Sequence, residues 1–598
     1  MRKSDWRLFA GAAVVLVSRL VTFPRTPWEL DEFHFLEALL KFEPLRHHPH
    51  PPGFPLFVAL GKLAFALLGD PFAALVALNI VACVVGFAAL YRAFRNYVDD
   101  ADVALAGSLI FYLSAGMLIH STLALADATA IMFLALTFAT LSQPGVVRAS
   151  GALLGGGTEG APEARTTPAL NPAIASAIYA SASIGCRPQF AIPLVPALIV
   201  ALFLCFRTWK QRAIAIGVFT IVSLVWLIPL IQATGGWKGF TNYELGQARY
   251  FAAHDAAASR GSKTLLRLAA RFVLRAWGSS ITIALVGLFA AIGVIPFLRG
   301  WRRSIIPFVV FTFEHLGFAI AAMDPADAVR YSLPALPLFA LLAALGLRFV
   351  RIPWWIGTAV IAGLSAWYVS PILIDRVTTP SPMVAAARYV NANVPRNAVV
   401  LYEAGTRSHV EWLLPLYRSG FLERAMLDLY DKPSTPAVII LDGGSIDRDA
   451  KVFAWHESNA YVKMTRNFGL RVSVDPLRPE ERFLEIGGVH HLEATANEGE
   501  WRWLGPVATI RLPQLGKPQL ALQFNLSIDA PYESNEVEVF VDGQQSARVN
   551  VPKKPVWVVV PAGKEITIRS ARSFRPDDAL HNRDKRLLAV QLTALEQR

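Results

Sequence analysis

Long apolar segments fill roughly the first 375 residues of this 598-residue chain. A helix that crosses a bilayer needs about 20 predominantly apolar residues. With 54% hydrophobic and only 17% charged residues, the chain is too apolar for a soluble protein of this size. The remainder has ordinary globular polarity. The sequence therefore predicts a polytopic α-helical membrane domain over residues 1–375, followed by a soluble part.

Eleven apolar segments are predicted to span the membrane. The arginines and lysines in the turns between these segments are predicted to lie on the same side of the membrane as the N-terminus. The first segment follows Arg2 and Lys3 and has no signal-peptide cleavage site. We therefore expect a cytoplasmic N-terminus, an extracytoplasmic C-terminus and an interfacial helix over residues 54–68. The eleven spans lie near residues 7–23, 71–91, 103–119, 122–142, 169–186, 190–206, 213–232, 280–298, 304–322, 332–347 and 353–374.

Basic residues also bear on partners. The net charge of +12 comes from lysine and arginine in short turns between apolar segments, which is typical of topology determinants and argues against nucleic acid binding. A predicted outer loop over 234–279 is different, because it carries basic residues at a spacing of four, as on one stripe of a helix. Such a helix lies on anionic headgroups or guides an anionic lipid carrier. Its basic residues are Lys263, Arg267, Arg271 and Arg275.

Candidate catalytic residues lie in the predicted outer loop 24–70. Asp31 and Glu32 follow the first span, among aromatic residues that suit the membrane interface. Partial desolvation there raises a carboxyl pKa and favours a general base. The alternative is that both are solvated charges at the start of a helix, where the dipole favours acids.

The same loop continues with the segment His50–Pro55, which reads HPPGFP. An acidic pair after the first span followed by this segment resembles the polyprenyl-phosphate-dependent C-type glycosyltransferases. Bacterial protein O-mannosyltransferase-like and aminoarabinose-transferase-like proteins are the most similar in pattern. Further agreement comes from Asp127, from Arg187–Gln189 and from Arg330–Pro334, so the resemblance covers roughly residues 1–375.

The resemblance implies an inverting transfer of a sugar from a polyprenyl-phosphate carrier to an acceptor hydroxyl. It makes Asp31 the base, with Glu32 and Asp127 as further acids of the site. The leaving phosphate needs cations and hydrogen-bond donors around it. The candidates are Arg187, Arg330, Tyr331 and His50. The alternative for both arginines is a structural role at the ends of spans.

Two features leave other chemistry open. His34, His47, His48 and His50 share the loop with acids, but no ordered ligand spacing appears, so a divalent metal cofactor stays undetermined. Glu314 and His315 fall within a predicted span, where ionisable groups are costly and often functional. They support the competing prediction of a transporter or flippase for a lipid-linked saccharide. A sugar-binding protein without catalysis is a third possibility.

The soluble part divides into two predicted extracytoplasmic domains. Residues 376–480 alternate between helix-like and strand-like segments and predict a small α/β domain. Residues 481–598 alternate with a period of two and predict a β-sandwich or jelly roll that resembles carbohydrate-binding modules. Trp501 and Trp503 share one face of a strand there, which suits either a core, the preferred interpretation, or a sugar-stacking platform.

Taken together, the sequence predicts a membrane glycosyltransferase of the bacterial inner or plasma membrane. Its expected partners are a polyprenyl-phosphate-linked sugar, a glycan, lipid or protein acceptor and the bilayer. The identity of the sugar and of the acceptor stays open, because several loops combine to form a sugar pocket.

Overall fold

The computed structural model describes residues 5–143, 171–252, 265–300, 302–402, 404–422, 429, 434–443, 449–455, 459–465, 469–478, 484–495, 499–513, 516–580 and 584–598. The chain divides into two compact units. The helical unit comprises Met1–Pro27, Asp31–Thr379 and Glu457–Asn467, and the second unit comprises Trp28–Leu30, Pro380–His456 and Phe468–Arg598.

Helices of the first unit follow the apolar pattern of the sequence. They are α1 (Asp5–Leu20), α2 (Leu30–Leu40), α3 (Pro55–Leu68), α4 (Pro71–Val98), α5 (Ala101–Tyr112), α6 (Ala115–His120), α7 (Asp127–Leu141), α8 (Pro172–Cys186), α9 (Ala191–Leu204), α10 (Trp209–Ala233), α11 (Gly236–Tyr250), α12 (Leu265–Leu274), α13 (Ser280–Gly300), α14 (Ile306–Ala322), α15 (Ala328–Ser332), α16 (Leu336–Phe349) and α17 (Trp354–Thr378).

Each of the eleven predicted spans contains helix among the residues that the structure describes. Within the described residues, six helical segments are long and apolar enough to cross a membrane, and five shorter apolar helices accompany them. The chain is therefore a multi-pass membrane protein. The six long segments are Pro71–Val98, Trp209–Ala233, Ser280–Gly300, Arg303–Ala322, Pro325–Phe349 and Trp354–Asn393.

Two predicted spans are interrupted in the structure. The segment near 103–119 breaks at Ser114, whose hydroxyl accepts a hydrogen bond from the Met117 amide and caps α6. The segment near 122–142 becomes helical only at Asp127, because residues 121–126 form a buried turn. The second break leads directly into Asp127.

Small residues allow close helix packing. A Cβ at Gly293 of α13 would collide with the Leu342 carbonyl of α16, and one at Gly346 of α16 would collide with the Phe289 carbonyl of α13. The two backbones therefore touch, as is common for helices in membranes. Gly86 plays a similar part in α4, where a Cβ would collide with the Tyr112 hydroxyl.

The predicted amphipathic helix is present as α12. Leu268 and Phe272 are buried, whereas Arg267 is exposed and Arg271 is half-buried. Arg275 follows in a short 3-10 turn, Arg275–Trp277, and Lys263 lies outside the described residues. The helix thus has the apolar and basic sides that the sequence predicts.

A five-stranded sheet forms the α/β part of the second unit. Its order is β2-β1-β3-β5-β4, with β1 parallel to β2 and β3 and with β5 antiparallel to its neighbours. The helix α18 (Pro382–Asn393) packs on it through Met383 and Val390, and α19 (Arg407–Leu413) through Val410. The strands are β1 (Val399–Tyr402), β2 (Arg418–Phe421), β3 (Ala437–Asp442), β4 (Lys451–Ala454) and β5 (Arg471–Pro476).

One segment within the predicted α/β domain groups with the helical unit. Helix α20 (Asn459–Met464) belongs to it, and its Tyr461 hydroxyl donates a 2.9 Å hydrogen bond to Asp375 Oδ2 of α17.

The predicted C-terminal β domain is confirmed, and its eight strands form one continuous antiparallel sheet. The order is β10-β9-β12-β7-β13-β8-β11, with β6 paired to β7. Its core includes Trp501 and Trp503, each 7% exposed, so the core interpretation is correct for both. The elements are β6 (Leu484–Thr495), β7 (Gly499–Arg511), β8 (Gln519–Asn525), β9 (Ser534–Val541), β10 (Gln544–Pro552), β11 (Val556–Pro561), β12 (Glu565–Ser570), α21 (Pro576–Leu580) and β13 (Val590–Gln597).

Candidate active site

The predicted outer loop supplies the first acid. Helix α2 places Asp31 and Glu32 in its first turn, where the helix dipole stabilises negative charge. The side chain of Asp31 is 24% exposed, whereas Glu32 is fully buried. The two adjacent acids therefore occupy different environments.

The other charged residues come from the ends of three further elements. Asp127 opens α7 directly after the buried turn, and Arg187 ends α8. Arg330 lies in the short helix α15. That helix ends at Ser332, shortly before Pro334, whose ring and missing N–H do not fit the interior of an α-helix.

These residues form one ion network. Arg330 Nη1 donates to Asp31 Oδ2 at 2.7 Å, and Arg330 Nε donates to Asp127 Oδ2 at 2.9 Å. Asp127 Oδ1 also contacts Arg187 Nη1. Arg330 thus bridges the two carboxylates, and Asp127 bridges the two guanidinium groups.

The network balances its own charge, with two acids against two arginines. Asp127, Arg187 and Arg330 are each at most 6% exposed, so water screens their charges weakly. Burial raises the pKa of the Asp31 carboxyl, but the charges of His50 and Arg330 and the hydrogen bond from Arg330 lower it more. The pKa lies below its usual range, and Asp31 is ionised at neutral pH.

His50 and Tyr331 border the network. His50 Nδ1 lies 3.7 Å from Asp31 Oδ1, and its ring packs beside Phe54. The Tyr331 ring lies 5.5 Å from the Arg187 guanidinium carbon and 5.9 Å from that of Arg330. Each arginine is therefore placed for a cation–π contact with this ring.

Glu32 makes a contact that the sequence does not reveal. Its Oε1 accepts a 2.7 Å hydrogen bond from the Ala124 amide, in the turn before Asp127. Asn79 of α4 is a second polar residue at this turn, and it escapes prediction altogether. Its signal in the sequence is that a polar residue stands within a long apolar segment, where polar groups are costly and often functional. In the structure Asn79 is fully buried.

The histidine-rich loop does not assemble a metal site. His48 Nε2 lies 3.0 Å from Glu37 Oε2, and His34 Nδ1 lies 4.0 Å from the same oxygen. In the part of the chain that the structure describes, no three His, Cys, Asp or Glu side chains are placed to hold one ion.

Glu314 and His315 do not form a shared path across α14. Glu314 is exposed on the helix surface, whereas His315 is 4% exposed and its Nε2 lies 2.7 Å from the Tyr331 carbonyl oxygen. Adjacent helical residues point about 100° apart, which accounts for this difference. His315 thus supports the backbone beside the network.

No protein-family model and no curated protein sequence matches this chain. Among solved structures, ArnT from Cupriavidus metallidurans bound to undecaprenyl phosphate is similar, with a TM-score of 0.52 and 12% identity over 79% of this chain and 98% of that chain. Apo ArnT from the same organism gives a TM-score of 0.52 at 13% identity over the same shares.

This chain has the fold of ArnT. The arabinofuranosyltransferase AftD from Mycobacteria is also similar, with a TM-score of 0.45 and 10% identity over 99% of this chain and 58% of that chain. The identities to ArnT are so low that they establish the shared fold alone.

Proposed function

We propose that this protein is an inverting glycosyltransferase that moves a sugar from a polyprenyl-phosphate carrier to an extracytoplasmic acceptor hydroxyl. The observation that carries the proposal is the network of Asp31, Arg330, Asp127 and Arg187. It brings together four residues from four elements, and it combines an acid able to act as base with cations able to face a phosphate.

The proposed reaction is one displacement. The Asp31 carboxylate takes the proton of the acceptor hydroxyl while that oxygen attacks the anomeric carbon of the donor. The bond between this carbon and the phosphate oxygen breaks, and the phosphate leaves with the electron pair. Attack opposite the leaving group inverts the anomeric carbon. Arg187 and Arg330 face the charge that develops on the phosphate, with Tyr331 and His50 beside them.

Donor binding and base strength are linked in this proposal. In the structure Arg330 is paired with Asp31, and the charges of His50 and Arg330 together hold the pKa of that carboxyl low. A donor phosphate competes with Asp31 for the same guanidinium. When Arg330 turns to the phosphate, the pKa of Asp31 rises and the carboxylate becomes a stronger base, so the base is activated only when a donor is present.

A reconstituted assay tests the proposal. Purified protein in liposomes is supplied with radiolabelled polyprenyl-phosphate sugars and a membrane extract as acceptor. We expect wild-type protein to move label to the acceptor, and Asp31→Asn to lose about 10²–10⁴-fold in rate, as expected for a missing general base. Undecaprenyl phosphate should still bind the variant. Glu314→Gln, an exposed acid outside the network, is the matched control and should keep full activity.

The competing transporter is separated in the same vesicles. If label crosses the bilayer without covalent transfer, and does so equally with wild type and Asp31→Asn, the proposed enzymatic function is wrong and the protein is a transporter. Full transfer by Asp31→Asn would remove this residue as the base.

A further inference from the structure

The turn that leads into Asp127 is buried and lies outside regular helix. Residues 122–126 are each at most 1% exposed, between the end of α6 and the start of α7. Buried backbone amides and carbonyls away from water need hydrogen-bond partners, because a missing partner is costly. Side chains from other helices supply partners to this turn.

Asn79 of α4 binds two carbonyls of the turn. Its Nδ2 donates to the Leu123 and Leu125 carbonyl oxygens, each at 2.7 Å. Its Oδ1 accepts a 2.8 Å hydrogen bond from the Thr129 hydroxyl of α7. A primary amide is the side-chain group that offers two donors and an acceptor in this arrangement.

Glu32 of α2 binds the amide between those two carbonyls. Its Oε1 accepts from the Ala124 N–H at 2.7 Å. Three successive residues of the turn are thus held by two side chains from two helices. Glu32 is the next residue after Asp31, and Ala124 is three residues before Asp127, so this hydrogen bond ties the helix that carries one acid to the turn that carries the other.

We propose that Glu32 and Asn79 are positioning residues, which hold the turn so that Asp31 and Asp127 both meet Arg330, and that Glu32 exchanges no proton in the reaction. This inference rests on the proposed glycosyltransferase function. It reassigns Glu32, which the sequence resemblance makes an acid of the site. Small shifts of the turn matter because charge-assisted hydrogen bonds weaken steeply with misalignment.

The two roles of Glu32 predict opposite results for one conservative change. The substitution Glu32→Gln retains a side-chain oxygen that accepts from the Ala124 amide, but it removes the carboxylate. We therefore expect Glu32→Gln to keep at least a third of the wild-type transfer rate. Glu32→Leu, which has no acceptor, should lose about 100-fold, as a displaced catalytic group does. Loss of activity by Glu32→Gln comparable to that of Asp31→Asn, in a preparation whose wild type is active, would overturn the positioning role and leave the proposed function standing.

The role of Asn79 is tested by asking whether substitutions of Asn79 and Asp127 have additive effects on the transfer rate. Asn79→Leu keeps the number and branching of the side-chain heavy atoms and removes all three hydrogen bonds, so we expect a loss of about 100-fold in transfer rate. If Asn79 acts through Asp127, the double variant Asn79→Leu, Asp127→Asn should be no slower than Asp127→Asn alone. Multiplied losses in the double variant would indicate a general structural effect and overturn the inference. Asn96→Leu, on the same helix, is the matched control.

A readout without substrate completes the test. Hydrogen–deuterium exchange of the peptide over 121–127 should accelerate in Glu32→Leu and Asn79→Leu, but not in Glu32→Gln or Asn96→Leu. Unchanged exchange in Glu32→Leu and Asn79→Leu would overturn the inference. A wild-type protein that transfers no label overturns the proposed function, and the catalytic part of this inference with it.

Discussion

Arg330 Nη1 donates a 2.7 Å hydrogen bond to Asp31 Oδ2 across 299 positions of the chain. The same guanidinium reaches Asp127 through Nε. One arginine thus holds two acids in a fixed relation, and in the proposed reaction it must exchange one of them for a phosphate.

Replacing Arg330 should weaken the binding of a polyprenyl phosphate. A charge-assisted hydrogen bond contributes about 1.5–3 kcal/mol, so Arg330→Gln should raise the Kd for undecaprenyl phosphate about 10- to 100-fold. Arg330→Lys keeps the positive charge but loses the planar guanidinium, so its Kd should lie between those of wild type and Arg330→Gln. Arg348→Gln, an exposed arginine, is the control. An unchanged Kd in Arg330→Gln would exclude this residue from phosphate binding.

Removing Arg187 should destabilise the protein through Asp127. Arg187→Met leaves a buried carboxylate with one guanidinium fewer, which costs on the order of 3 kcal/mol. Adding Asp127→Asn removes the excess negative charge, so we expect the double variant to regain thermal stability but not transfer activity. Thermal midpoints in detergent measure the first effect. A double variant that is no more stable than Arg187→Met would contradict the pairing.

Stability should fall in acid partly through His34. Burial lowers the pKa of this imidazole from its ordinary 6.5 to about 4. Between these values the unfolded chain binds a proton that the folded protein does not, so the contribution is present above pH 6.5 and is lost as the pH falls towards 4. We expect the thermal midpoint of wild type to drop more than that of His34→Gln between pH 7 and pH 5. Parallel curves would exclude this titration.

Trp503 should contribute to stability rather than to sugar binding. Its ring is 7% exposed and packs edge-on to Phe574, with ring centroids 5.9 Å apart. Trp503→Ala should lower the free energy of unfolding by about 3–5 kcal/mol, as large core truncations do. The exposed Trp557 provides the control, since Trp557→Ala should cost far less. Unfolding on heating is measured by tryptophan fluorescence. Equal losses of unfolding free energy in the two variants would contradict the assignment of Trp503 to the core.

The membrane domain was largely predictable because its signal is local. Each span is a run of apolar residues, and the bilayer requires backbone groups to pair within such a segment. The breaks at Ser114 and before Asp127 were missed for the same reason, since apolar residues continue through both. In the β domain, the alternation in β8 and β9 and the Asp542–Gly543 turn, where both residues have positive φ, were equally readable.

By itself, the sequence determined the helical class, the soluble domains and the residue types available for chemistry. Only the tertiary structure decided which of those residues meet. Asp31 and Glu32 are adjacent in the chain, yet one joins the network and the other binds the Ala124 amide, because neighbouring helical side chains diverge by about 100°. Asn79 had no signal beyond its polarity, since its partners lie 44 and 46 residues away. Such contacts depend on how helices pack, and no local pattern encodes them.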